Sequence, residues 1–200
     1  MKFKNILALA PHTDDIEIGC GGTLNRYKDS NIYVAAFSYA PPVVDGNIKK
    51  DFAKAMDVVG AEFECLGLEG RTFYSNRQQI LDYLWKLNQK RKFDLVFCPS
   101  SFDNHQDHEV IRNEAGRIFK HTTILGYEMP WNNKEFRADT FVKLTKEDVD
   151  SKVEMLNCYE SQKERDMFAY EDYAVHLAKL RGLQIKTEYA EAFETIKCVI

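Results

Sequence analysis

Short apolar runs of strand length, separated by longer segments of helical period, constrain this chain more than any other feature. Residues 5–10, 32–39, 62–66, 94–98 and 123–127 read as strands. Between them, residues 19–29, 49–59, 78–90 and 109–120 read as helices. Phe52, Ala55, Met56 and Val59 share one helical face, with Gly60 as a stop. Ile80, Leu81, Leu84, Trp85 and Leu87 share another. Residues 141–144 add a short strand, 146–158 and 175–180 helices, and 187–195 a last extended segment. This rhythm predicts an α/β fold, a mainly parallel sheet covered by helices on both faces. In such folds ligands bind beyond the carboxyl ends of the strands, near the switch point. Two loops that leave strand ends, 11–22 and 99–108, carry unusual chemistry.

A length of 200 residues suits one domain over 1–200. A net charge of −4 gives no basic footprint, which argues against nucleic acid and anionic membrane as main partners. The apolar run 6–10 is too short for a signal segment and meets Pro11 directly, and no stretch approaches a membrane span. The five cysteines (20, 65, 98, 158 and 198) form no C-x-x-C pair. Reduced thiols and a cytoplasmic location are therefore expected.

The first loop, PHTDDIEIGCGG, has two incompatible readings. Its left half carries His12, Asp14 and Asp15, and the second loop, PSSFDNHQDH, carries His105, Asp107 and His108. If both loops share one sheet edge, His12, Asp15 and His108 offer two imidazoles and a carboxylate to one ion. That set leaves a position open, as in catalytic zinc sites, and also suits iron(II). The metal would bring the pKa of a bound water down to about 7. Asp14, beside a ligand, would then take the water's proton. His105, three residues before His108, would stabilise a tetrahedral oxyanion. Asp107 would hydrogen-bond a histidine ring and fix its tautomer, or else cap a helix from Glu109.

The right half suggests a glycine loop for a nucleotide or adenosylmethionine, hence a transferase. Residues 11–16 intervene between strand and glycines, Asn25 stands in the turn where a third glycine is wanted, and the next acid, Asp45, lies too far along. Close approach of the first helix to the sheet explains Gly19, Gly21 and Gly22 better.

These residues resemble a known family. PHTDDIEIGCGGTL and HQDH are similar to the two motifs, P-H-P-D-D-E-x-x-G-x-G-G and H-x-D-H, of the LmbE-like, PIG-L superfamily of zinc-dependent N-deacetylases. The likeness continues through YEMPWNN, Ser161-Gln162, Arg181-Gly182 and EYAEAFE. It implies a Rossmann-like three-layer fold and hydrolysis of an acetamido group on a sugar or sugar conjugate. His12, Asp15 and His108 would bind zinc, Asp14 would be the base, His105 the transition-state stabiliser, and Asp107 would orient His105. Thr13 and Ile16 depart from the motif's proline and glutamate, although Glu17 follows at once. In some relatives an aspartate and an arginine grip the sugar, and Arg71, Lys49 and Asp103 are the candidates here. Trp131 beside Asn132 and Glu128 suits stacking on a sugar face, or closes the core under a loop. The expected partner is a small N-acetylated sugar; a non-catalytic sugar-binding relative is the other alternative, and the oligomeric state stays open.

Overall fold

Every apolar run singled out by the alternation becomes a strand of one seven-stranded sheet. The structure is a computed structural model that describes residues 3–39, 47–160 and 170–199. Ala40, Pro41 and Asp45, at and beyond the end of the second strand, and the Ser161-Gln162 pair of the resemblance lie outside the described residues. Strands β1 (Asn5–His12), β2 (Asn31–Ser38), β3 (Glu62–Cys65), β4 (Leu95–Pro99) and β5 (Thr123–Tyr127) run parallel. The order is β3-β2-β1-β4-β5, followed by β7 (Tyr189–Lys197), antiparallel to β5, and β6 (Thr140–Leu144), antiparallel to β7.

Strand side chains alternate between faces, so a strand covered on both sides must be apolar at every position. Ile6, Ala8 and Ala10 of β1 join Ile32, Val34 and Ala36 of β2 in one core. Leu7 and Leu9 join Tyr33, Ala35 and Phe37 in the other. Helices α1 (Asp15–Arg26), α2 (Asn47–Val58), α5 (Lys146–Asn157) and α6 (Tyr170–Gln184) cover the first core. Helices α3 (Arg77–Lys90) and α4 (Gln106–Ile118) cover the second. This is the expected Rossmann-like three-layer fold with a mainly parallel sheet.

Two departures from the expected boundaries bear on function. Helix α1 begins at Asp15 rather than near Gly19 and breaks at Cys20, whose φ of −149° and ψ of 19° are not helical. Past the break, Glu191 of β7 accepts the amides of Gly22 at 3.2 Å and Thr23 at 2.7 Å and pairs with Lys152 Nζ at 2.7 Å. The glycines serve packing: a Cβ on Gly19 would lie 2.4 Å from the Tyr127 ring, and one on Gly22 2.7 Å from Leu144 Cδ1. With these positions filled and the Gly22 and Thr23 amides taken, the loop offers no cradle for a nucleotide or adenosylmethionine phosphate or ribose. The transferase reading is corrected accordingly. Helix α4 likewise begins at Gln106 rather than Glu109, capped by His105, whose Nδ1 accepts the Asp107 amide at 3.2 Å.

Candidate metal centre

The sheet itself opens the site. β1 pairs with β2 as far as His12 but with β4 only as far as Ala8. The carboxyl ends of β1 and β4 therefore part where the strand order reverses, and the two motif loops face each other across the gap. Past Ala8 the ladder to β4 asks nothing of Pro11, which has no N–H to give.

At the end of β1, Asp14 takes φ 102° and ψ −25°, the left-handed region, and turns the chain into α1. Asp15 folds back so that its Oδ2 accepts the His12 amide at 2.7 Å. Opposite it, His108 lies in the first turn of α4. Three donor atoms then form a nearly equilateral triangle. His12 Nδ1 and Asp15 Oδ2 are 3.3 Å apart, Asp15 Oδ2 and His108 Nε2 3.3 Å, and His108 Nε2 and His12 Nδ1 3.3 Å. Ligands about 2.0–2.1 Å from a tetrahedral ion stand about 3.3–3.4 Å from one another. The spacing and the two-imidazole, one-carboxylate set thus fit one divalent ion with a position left open.

The outer nitrogen of each ring is also held. His108 Nδ1 meets Asp103 Oδ2 at 2.7 Å, and His12 Nε2 meets Asp107 Oδ2 at 3.0 Å. Such carboxylate–histidine pairs fix the tautomer that turns the other nitrogen to a metal. Burial opposes charge on His12, yet Asp107 and Asp15 outweigh it and hold its pKa at about 9. Burial is likewise outweighed at His108 by Asp15 and Asp103, which hold it at about 10. Burial pushes the Asp15 carboxyl up, but the His108 and His12 rings overcome this and hold it below the usual carboxylate range. The cluster draws positive charge, as protons or as a metal.

Asp14 makes no side-chain bond to the helix it begins, and burial with the nearby Asp15 and Glu17 carboxyls raises its pKa. His105 is half-buried, its ring centroid 4.9 Å from that of His12 and 4.6 Å from that of His108. Because its Nδ1 accepts an amide, its neutral form carries the proton on Nε2, as a hydrogen-bond donor. Burial and the two neighbouring rings push its pKa down, favouring that neutral form.

Two side chains lie elsewhere than their sequence-based roles imply. Asp107 was expected to orient His105; its carboxylate instead meets His12 and accepts the Arg71 amide at 2.6 Å, while its own amide serves His105. Asp103 was expected at the sugar; it is buried behind the site, with one oxygen on His108 and the other on the His105 amide at 2.9 Å. Arg71, in the left-handed region at φ 67°, is exposed beside Asp107. Lys49 lies over the Tyr39 ring rather than in the cluster. Trp131 is 49% exposed, so it does not close the core, and its ring lies 5.7 Å from that of Tyr173. Its loop is tied to the second motif by the Asp103–Asn133 bridge and by the Asn104 amide on the Asn132 carbonyl.

Three supports lie outside the expected set. Glu194 of β7, 5% exposed, accepts both the amide and the hydroxyl of Ser101. Gly126 lets that loop approach, because a Cβ there would be 2.8 Å from Ser100 Cα. Glu17 is buried and accepts the Tyr159 hydroxyl at 2.6 Å; burial lifts its pKa to about 7 despite that bond. The signal available beforehand was a pair of carboxylates inside an otherwise mostly apolar strand, since buried charge demands partners.

The PIG-L family model, described as GlcNAc-PI de-N-acetylase, matches residues 7–119. The uncharacterized deacetylase YaiS of Escherichia coli (strain K12) is 30% identical, over 73% of this chain and 85% of its own. Two solved structures share the fold. One is GalB, the 4-carboxy-2-hydroxymuconate hydratase of Pseudomonas putida KT2440, with a TM-score of 0.81, 17% identity and 98% of each chain covered. The other is the N,N'-diacetylchitobiose deacetylase of Pyrococcus horikoshii, with a TM-score of 0.75, 18% identity, and 97% of this chain and 84% of that one covered.

Proposed function

This chain belongs to the LmbE-like PIG-L family of deacetylases, and from that premise we propose that it is a metal-dependent hydrolase that removes the acetyl group from an N-acetylated sugar or sugar conjugate. The observation that carries the proposal is the 3.3 Å triangle of His12 Nδ1, Asp15 Oδ2 and His108 Nε2. Zinc suits that set, and iron(II) is the other candidate. A divalent ion held there would acidify a water and polarise an amide carbonyl.

The remaining work belongs to side chains. Asp107 and Asp103 keep the His12 and His108 rings turned so that Nδ1 and Nε2 point inward. Asp14 accepts a proton from the attacking water and later returns it to the departing amine, a role its upward-shifted pKa suits. His105 donates from Nε2 to the oxygen that gains charge as the carbonyl carbon becomes tetrahedral. Arg71 and Trp131 bind the sugar, Trp131 through its exposed ring face. The described helices include none long and apolar enough to cross a membrane, and all five cysteines are unpaired, which supports a cytoplasmic setting.

The test is acetate release from a panel of acetamido sugars, nucleotide-linked sugars included, by zinc- and iron-loaded protein. Turnover of one class above the metal-only control is expected. A silent panel with either metal would overturn the sugar deacetylase assignment.

A further inference from the structure

His12 presents a nitrogen to each of two donor sets. Nδ1 belongs with Asp15 and His108, while Nε2 lies 3.0 Å from Asp107. With His105, the latter two residues form a second group whose ligand atoms all lie within 4.8 Å of one another. We propose that His105, Asp107 and the Nε2 edge of His12 form a second divalent-cation site, which fills after the inner one and shuts the enzyme off. The inference rests on the reading of the inner set as the metal centre.

Charge and donor geometry both support it. Asp14, Asp15, Asp103 and Asp107 crowd this end of the sheet, and among the described residues the hydrogen bonds and ion pairs of the last three go to histidine rings and backbone amides, not to lysine or arginine side chains. One divalent ion leaves carboxylate charge uncompensated. In the outer set, His105 turns Nδ1 to the Asp107 amide, and its Nε2 becomes a ligand once the Nε2 proton moves to Nδ1 and that amide is released. Among the described residues, Asp107 Oδ1 has spare capacity, meeting the Phe73 amide at 3.4 Å. His12 and Asp107 are buried, whereas His105 is half-open, so an ion enters from the His105 side. Two imidazoles and a carboxylate select a borderline ion such as zinc over calcium or magnesium. The entering ion displaces two protons: the one between His12 Nε2 and Asp107 leaves to solvent, and the one on His105 Nε2 passes through solvent to Nδ1, which gives up the Asp107 amide. His12 then bridges two ions, and His105, now a ligand, has no free donor for the oxyanion.

The test titrates metal-free full-length protein with zinc, reading binding stoichiometry by calorimetry and, in parallel, acetate release. Wild type is expected to bind one ion tightly and a second more weakly, with activity at second-site saturation reduced to about 1% or less, the scale of a lost acid–base group. His105→Ala should keep the tight ion and weaken the second at least about ten-fold; Asp107→Asn should weaken the second by as much and the tight ion as well, because Asp107 also holds the His12 ring. His108→Ala should lose the tight ion and retain the weaker. An unchanged second affinity in both His105→Ala and Asp107→Asn overturns the outer site while leaving the inner one standing. Loss of the single tight ion in His105→Ala, with retention in His108→Ala, overturns the inner assignment instead. No binding at all in wild type defeats both.

Discussion

Asp14 is the residue on which the chemistry turns, because its side chain makes no cap bond to the helix it begins. Asp14→Asn keeps the shape and removes the base, so the protein should keep its metal and lose about 10²–10⁴-fold in kcat; acetate assays on variant and wild type at equal metal content check this. The histidines give a second prediction. In metal-free protein His12 and His108 titrate near 9 and 10, above the ordinary 6.5. Their contribution to stability is complete below pH 6.5 and is lost as pH rises through 9 to 10. A metal needs both rings unprotonated, so its binding strengthens over the same window. The gap in Tm between metal-loaded and chelated protein should widen from pH 6.5 to 10, and a constant gap would contradict the assignment. The motif residues could be named from the sequence because they lie within a few positions of one another on two loops. Their partners could not: Asp107 reaches His12 across 95 positions, and only the parting of β1 from β4 determines that it meets that ring.

At the scale of elements, β7 supports both halves of the site from opposite faces of the sheet. Glu191 caps α1 beyond its break, and Glu194 ties down Ser101, two residues before Asp103. Glu194→Ala should lower metal affinity by about 10–100-fold, the scale of a lost second-layer contact. Glu194→Gln, still able to accept the Ser101 amide, should recover most of it in a competition titration with a chromophoric chelator. Equal metal affinity in all three proteins would remove β7 from the site's support. The break in α1 hides its start from the sequence: Gly19, Gly21 and Gly22 look like a loop, whereas the Tyr127 ring, Lys152 and Leu144 fill the space beside them. Gly19→Ala would place a methyl 2.4 Å from a buried ring and should destabilise by about 1–3 kcal/mol in urea unfolding.

For the whole molecule, alternation of strand and helix was legible from the apolar runs, since a sheet buried on both faces leaves few polar positions to blur them. Strand order was not. Nothing in residues 187–195 indicates that this last strand inserts antiparallel between β5 and β6, because that choice depends on contacts with segments far away in the chain. The order matters, since it sets the switch point between β1 and β4 and so the gap in which two distant loops meet. The shared fold of a hydratase and a deacetylase shows that this scaffold alone does not define the reaction; the donors at the gap must. The measurement that tests this most directly is the metal content of wild type and His108→Ala, both purified without added metal or chelating resin. About one zinc or iron per wild-type chain, absent from the variant, is the predicted result. Equal metal in both, or none in wild type even after reconstitution, would contradict the metal centre and the hydrolysis assigned to it.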